Sequence, residues 1–166
     1  MSPLYIASVI VHVLAALLWV GGMLFIGIVA APVLRAIEPA ALRQQLFQRL
    51  GLRFRSIGWA ALALLVVTGT INLYYRGWLS WDGALANPAF WRTAAGHALG
   101  AKLLAVGILI ALSAVHDFAL GPAAGRATPG SLEALILRRR AALLARVNAV
   151  VAIVVIIVAV VLARAR

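Results

Sequence analysis

The sequence predicts an all-α fold: a polytopic integral membrane four-helix bundle, with a short amphipathic interfacial helix in the first cytoplasmic loop. Three observations predict it. Of 166 residues, 65% are hydrophobic and only 11% charged, against roughly 25% charged in a soluble domain. The apolar residues gather into four runs, at about 4–31, 56–76, 90–120 and 141–163, each long enough for the ~20 residues that cross a bilayer. The arginines, finally, fall mostly in two of the three connections. No polar stretch is long enough to fold alone, so residues 1–166 read as a single transmembrane domain.

The first run lacks a basic lead and an A-x-A site ahead of a polar chain, so it reads as a retained helix, not a signal peptide. It ends near Ala31-Pro32. Glu38-Pro39 then starts the amphipathic helix, with Leu42, Leu46, Phe47 and Leu50 on one side and Arg43, Gln45 and Arg49 on the other. Such a helix lies on the membrane surface with its arginine stems reaching to headgroups. The second span finishes in NLYYRGW, with Trp81 beyond, an aromatic belt of the kind that marks an interface. Asn87-Pro88 offers an N-cap and a first helical residue for the third span, with Phe90 and Trp91 in the same belt. The third span ends around Gly121-Pro122. Ser131 with Glu133 caps a basic segment leading into the fourth, whose core VVAIVVIIVAVV is featureless. No internal repeat is evident along the chain.

The net charge of +11 invites a nucleic-acid partner, but its placement points to topology. Arg35, Arg43, Arg49, Arg53 and Arg55 lie between spans one and two, against Glu38. Arg126 and Arg138–Arg139–Arg140 lie between spans three and four, with Arg146 just inside the fourth. Short loops rich in arginine stay on the cytoplasmic side and meet anionic headgroups there. The chain therefore reads as a multi-pass protein of the cell inner membrane, with both termini outside. Arg164 and Arg166 dissent from that topology.

With no cysteine, disulfides and thiolate-bound metals are excluded. Titratable side chains inside a membrane cost ~2.5–3.5 kcal/mol each and are functional candidates by default. Here they are His12, His97, Lys102, His116 and Asp117, with Arg146 and Asn148 entering on the fourth helix. At ~1.5 Å per residue, His12 lies ~12 Å below the outer boundary, Lys102 a similar distance, and His97 only ~5 Å. Thr68, Thr70 and Asn72 reach the same half, making an outer polar cluster. His116, Asp117, Arg146 and Asn148 form an inner one.

An imidazole beside a second nitrogen donor at equal depth is what axial haem ligation needs, and the macrocycle prefers an apolar slot between helices. Imidazole also suits copper, through His12 and His97, yet copper-conducting membrane proteins usually add Met or Cys ligands and this chain has only Met1 and Met23. Each candidate has an ordinary reading as well. His12 can simply hydrogen-bond to a neighbouring helix, His97 can touch headgroups, and Lys102 can snorkel. His116 with Asp117 can merely end a helix, and Arg146 and Asn148 can be structural glue. Trp19, on the His12 face, reads first as packing.

The run HVLAALLWVGGMLF resembles the opening of CopD-domain membrane proteins and of the HemJ type of protoporphyrinogen oxidase, where a His is followed by Trp and then Gly. RFRSIGWAALALLVVTGTINL is similar to the second helix of the CopD type. AKLLAVGILIALSAVH resembles the lysine-then-histidine helix of the HemJ type, and RVNAVVAIVVIIVAVV its fourth helix. The HemJ resemblance implies haem b in a small cytochrome b-like bundle, linked to the first-helix His and third-helix Lys, which match His12 and Lys102. It implies an oxidoreductase acting on a porphyrinogen. The CopD resemblance implies copper handling, commonly inferred as uptake.

The expectation is thus a haem b-binding protein of membrane electron transfer or porphyrinogen oxidation. His12 is one axial ligand and Lys102 or His97 the other; His116 with Asp117 serves a second haem or passes protons. The implied partners are the bilayer, a porphyrinogen or quinone, no nucleic acid, and a second copy of the chain in a homo-oligomer. The alternatives are a copper-uptake protein and a non-catalytic membrane subunit.

Overall fold

A computed structural model describes residues 2–164; Met1 and Arg166 lie outside the described residues. Four helices are long and apolar enough to cross a membrane: α1 Pro3–Arg35, α2 Ala40–Tyr75, α3 Ala94–Arg126 and α4 Leu132–Arg164. The described residues contain no strand. The chain is an all-α, multi-pass membrane bundle.

Two helices begin as composition dictates. Ser131 accepts the Ala134 N–H at 3.1 Å and so caps α4, and Pro3 opens α1 where its missing N–H costs nothing. Two details differ from expectation. The amphipathic segment after Pro39 is not a separate surface helix but the first turns of the 36-residue α2. Nothing between Leu50 and Arg55 breaks a helix, since a lone Gly51 costs only ~1 kcal/mol there. Asn87 does cap, taking the Ala89 N–H at 2.9 Å, but only a short 3-10 turn follows. Thr93 caps α3 itself, accepting from Gly96 at 3.0 Å.

The helices pair as two hairpins, α1 along α2 and α3 along α4. The hairpins meet where α1 touches α4 and where α2 touches the last turns of α3. All four contribute to one core: Trp19, Ala61 with Leu62, Leu109 and Ala152. Lipid tails are as apolar as leucine, so close packing rather than burial from water holds such helices together. Glycine makes the approach possible. A Cβ at Gly22 would run into the Phe54 ring, and one at Gly58 would rest 3.4 Å from the Trp19 indole. The opposite faces carry exposed leucine, isoleucine and valine, Leu17 and Ile28 among them, as lipid contact requires.

The hairpins share a layout that their side chains do not advertise. Spans α1 and α3 are each 33 residues long. Each widens into a π turn, Ile26–Ala30 in one and Val115–Leu120 in the other, just before a proline. Pro32 and Pro122 lack the N–H for the carbonyl four residues back and crowd it, and the wider turn absorbs the defect without breaking the helix. Counting back from these prolines, Trp19 matches Leu109, and His12 matches Lys102.

Candidate functional site

One end of the bundle carries the arginine-rich connections. The other carries aromatic pairs: Tyr5 with Tyr75 at 5.7 Å, Trp78 with Phe90 at 5.1 Å and Phe90 with Trp91 at 5.6 Å between centroids. The candidate site lies in the half of the bundle toward the aromatic end.

On α1 the buried residues Ser8, Ala15 and Trp19 form one stripe, and half-buried His12 falls on it, a turn past Ser8. The stripe packs against α2. The Ser8 hydroxyl donates to the Thr68 carbonyl at 3.3 Å, and Gly69 leaves room for the imidazole, whose Cε1 would sit 3.5 Å from a Cβ there. His12 Nδ1 is 2.8 Å from Thr68 Oγ1. That hydroxyl spends its single proton on the Leu64 carbonyl, 2.5 Å away, so toward His12 it accepts. Nδ1 therefore carries the ring proton, and Nε2 presents its lone pair. Among the described residues Nε2 makes no hydrogen bond. A neutral imidazole oriented through Nδ1–H with Nε2 open is how a histidine is prepared to ligate a metal.

One turn beyond Thr68 on α2 stands Asn72, and Arg76 follows just past the helix end. Asn72 Oδ1 is buried without a partner among the described residues. The Arg76 guanidinium lies over the Trp78 ring at 5.2 Å. Lys102 stands on α3, half-buried. His97 is exposed on the first turns of α3. Five residues from Lys102, it points ~140° away around the helix. Thr70 is exposed as well, its hydroxyl bound to Val66. The structure thus joins Ser8, His12, Thr68 and Gly69, with Asn72 a turn further along α2, and leaves His97 exposed. An apolar groove of about 600 Å³ opens beside that group, lined by Leu4, Val11, Ile71 and Tyr74, with Ser8 and Thr68 on its wall.

The second group is of another kind. Asp117, on the π turn of α3, receives His116 Nδ1 at 2.9 Å on one oxygen and Trp59 Nε1 at 2.9 Å on the other. Arg55 donates to the Asp117 carbonyl at 3.3 Å and covers the Phe118 ring at 5.5 Å. Nearer the middle, Asn148 donates to Ser113 Oγ at 2.9 Å and points the same amide toward Met23 Sδ at 3.8 Å, tying α4 to α3 and α1. Its Oδ1 has no partner among the described residues. Arg146 is exposed.

Sequence reasoning missed Gln44. It is 8% exposed, donates to the Gly125 and Ala127 carbonyls at 3.1 and 2.8 Å, and accepts from Arg138. Its sequence context does not single it out; the loop folded over it buries it. Trp59 was missed too, because a tryptophan near the end of a span reads as an ordinary interfacial residue. Among the described residues no three His, Cys, Asp or Glu side chains gather as a metal cage.

The family described as copper resistance protein D matches residues 48–162, from the first turns of α2 to the last of α4. That stretch contains Thr68, Asn72, Arg76 and Lys102 and stops short of His12. The chain is 45% identical over 64 residues to an uncharacterized protein of Aquifex aeolicus (strain VF5). The matched part is 38% of this chain and 43% of that relative, so under half of the relative's length is spanned. No solved structure matches the chain.

Proposed function

The chain belongs to the copper resistance protein D family, and within that family we propose that it binds haem b beside His12, serving electron transfer or porphyrinogen oxidation in the membrane. The observation that carries this reading is the His12–Thr68 bond at 2.8 Å, which leaves Nε2 as a free donor in an apolar setting. One axial nitrogen suffices to anchor a haem, whereas a copper centre wants several donors converging. With His97 turned away, Lys102 is the nitrogen that faces the same half of the bundle as His12.

When bound, haem supplies a one-electron carrier. The chain's own residues do the rest. Thr68 fixes the tautomer and plane of the imidazole, Gly69 admits the ring edge, and the Trp19–Leu62–Leu109 layer closes the bundle beyond the site. We place the arginine-rich connections in the cytoplasm and the site in the outer leaflet of an inner membrane, with a porphyrinogen or quinone as small-molecule partner.

The family's description favours a second reading, copper handling, in which His12 is a ligand in a transient site. Absorption spectra of protein made with ample haem, together with metal analysis, separate the two. We expect a Soret band in the wild type that His12→Ala removes while far-UV circular dichroism stays unchanged. A wild type with no Soret band overturns the haem reading, and stoichiometric copper in its place establishes the other.

A further inference from the structure

At the arginine-rich end, α4 keeps an apolar face where lipid no longer reaches. From Leu132 exposed positions recur in alternating steps of four and three: Leu132, Ile136, Arg139, Leu143 and Arg146. The same steps continue through Val150 and Ile157 to Arg164, and every position on them is exposed. Steps averaging ~3.5 residues draw one seam along a helix, the spacing against which a second helix packs. Within the hydrocarbon, lipid can cover such a seam. Residues 147–163 carry no charge, so Arg146 marks the boundary. At ~1.5 Å per residue Ile136 lies ~15 Å and Leu132 ~21 Å beyond it, past a headgroup layer of ~5–8 Å. Leu132, Ile136 and Leu143 are nonetheless 73%, 43% and 61% exposed. Scattered leucines of that kind are ordinary on a surface; here they stand in register with the lipid-facing stripe.

The projecting turns are held in place. Arg138 donates to Gln44 of α2, which itself donates to the Gly125 and Ala127 carbonyls, so α2, α4 and the loop between α3 and α4 are clasped together. Arg139 and Arg146 point ~80–100° away from Arg138 around the helix. The ion pairs among the described residues join Arg43 to Glu38 and His116 to Asp117, and neither seam arginine takes part. Glu133, the carboxylate of α4, is six residues before Arg139 and so ~120° round the helix from it. Two guanidinium groups one heptad apart on an apolar seam call for two anions at the same spacing.

We infer that this seam docks a helix of another membrane protein, apolar within the bilayer and carrying carboxylates one heptad apart beyond it, at the levels of Arg139 and Arg146. Charge decides against a second copy of this chain. A parallel pair about a two-fold axis sets Arg139 against Arg139 and Arg146 against Arg146, and like charges so placed repel. A lipid phosphate can meet Arg146 but leaves Ile136 and Leu132 uncovered. A partner helix with Asp or Glu at those levels covers the leucines and supplies both anions through charge-assisted bonds. Nothing in this depends on what binds beside His12.

The probe is a synthetic helical peptide, apolar over about twenty residues and then continuing with leucine and glutamate in the steps of the seam. Its control has glutamine for glutamate. Energy transfer in phosphatidylcholine vesicles, which offer no anionic lipid, reads binding to protein labelled at Thr128→Cys, the chain having no cysteine of its own. The glutamate peptide is expected to bind about tenfold tighter than the glutamine peptide. The double variant Arg139→Glu with Arg146→Glu should lose that preference and favour a lysine form of the peptide. Both arginines are exposed, so its far-UV circular dichroism should match the wild type. Ile136→Asn with Leu143→Asn should weaken the glutamate and glutamine peptides alike. Equal binding of those two peptides, no binding of either, or a preference that survives charge reversal overturns the inference. So does oxidative cross-linking of Ile136→Cys copies to each other while Leu42→Cys, an exposed control on α2, gives none, because the seam then belongs to a second copy.

Discussion

Asp117 and His12 are both titratable groups on membrane helices, and both reach across to α2, but they are finished to different degrees. Asp117 has Trp59 on one oxygen and His116 on the other, with Arg55 on the backbone behind it. His12 has Thr68 on one nitrogen and no hydrogen bond on the second among the described residues, and Asn72 Oδ1, a turn beyond Thr68, is open too. A buried polar group that is satisfied braces the fold. One left open in a low-dielectric setting carries a standing penalty, and a ligand is what relieves it. The difference separates Asp117, which braces the bundle, from His12, which is left open to a ligand.

Substitutions test that division. His12→Ala should remove the whole Soret band and change the unfolding free energy by less than about 1 kcal/mol, since only one neutral hydrogen bond goes; a band that survives places the ligand elsewhere. Asp117→Leu should do the opposite. It leaves Trp59 Nε1 unpaired and should cost about 2 kcal/mol in thermal or denaturant unfolding, with the spectrum untouched. Thr68→Val keeps the shape and deletes the acceptor for Nδ1–H, so haem affinity should fall by roughly 10- to 100-fold, read by competition with apomyoglobin; an unchanged affinity removes Thr68 from the site. Gly69→Ala is the smallest. Its Cβ would meet His12 Cε1 at an ordinary 3.5 Å, so spectrum and stability should shift by no more than about 0.5 kcal/mol.

How far the residues foretold this follows from what each signal measures. Apolar length counts turns, so the four spans were legible. The cap at Ser131 was legible because it is local. Which way a side chain faces depends on which helices are its neighbours, and that is a tertiary matter. Hence Thr68 was noted as polar at the right depth but not as the group that sets the tautomer of His12. The exposure of His97 followed from its angle to Lys102 only once α3 had neighbours. Gln44 was hidden for a similar reason, since its partners Gly125 and Ala127 are 81 and 83 residues away. The joining of the amphipathic segment to α2 was readable in principle, from the lack of any strong helix breaker between Ala40 and Tyr75.

The two proline-linked π turns have one more consequence. Each hairpin has the same length of first helix, the same widened turn and a nitrogen-bearing side chain at the same distance before its proline. The chain has the layout of a two-protomer assembly joined end to end by residues 76–93. In a true pair of identical hairpins, a molecule lying between them could enter either way round at no difference in energy. Here one side offers an imidazole and the other an ammonium, so that degeneracy is gone. The fused form lets a nearly symmetric scaffold distinguish the two faces of whatever it holds.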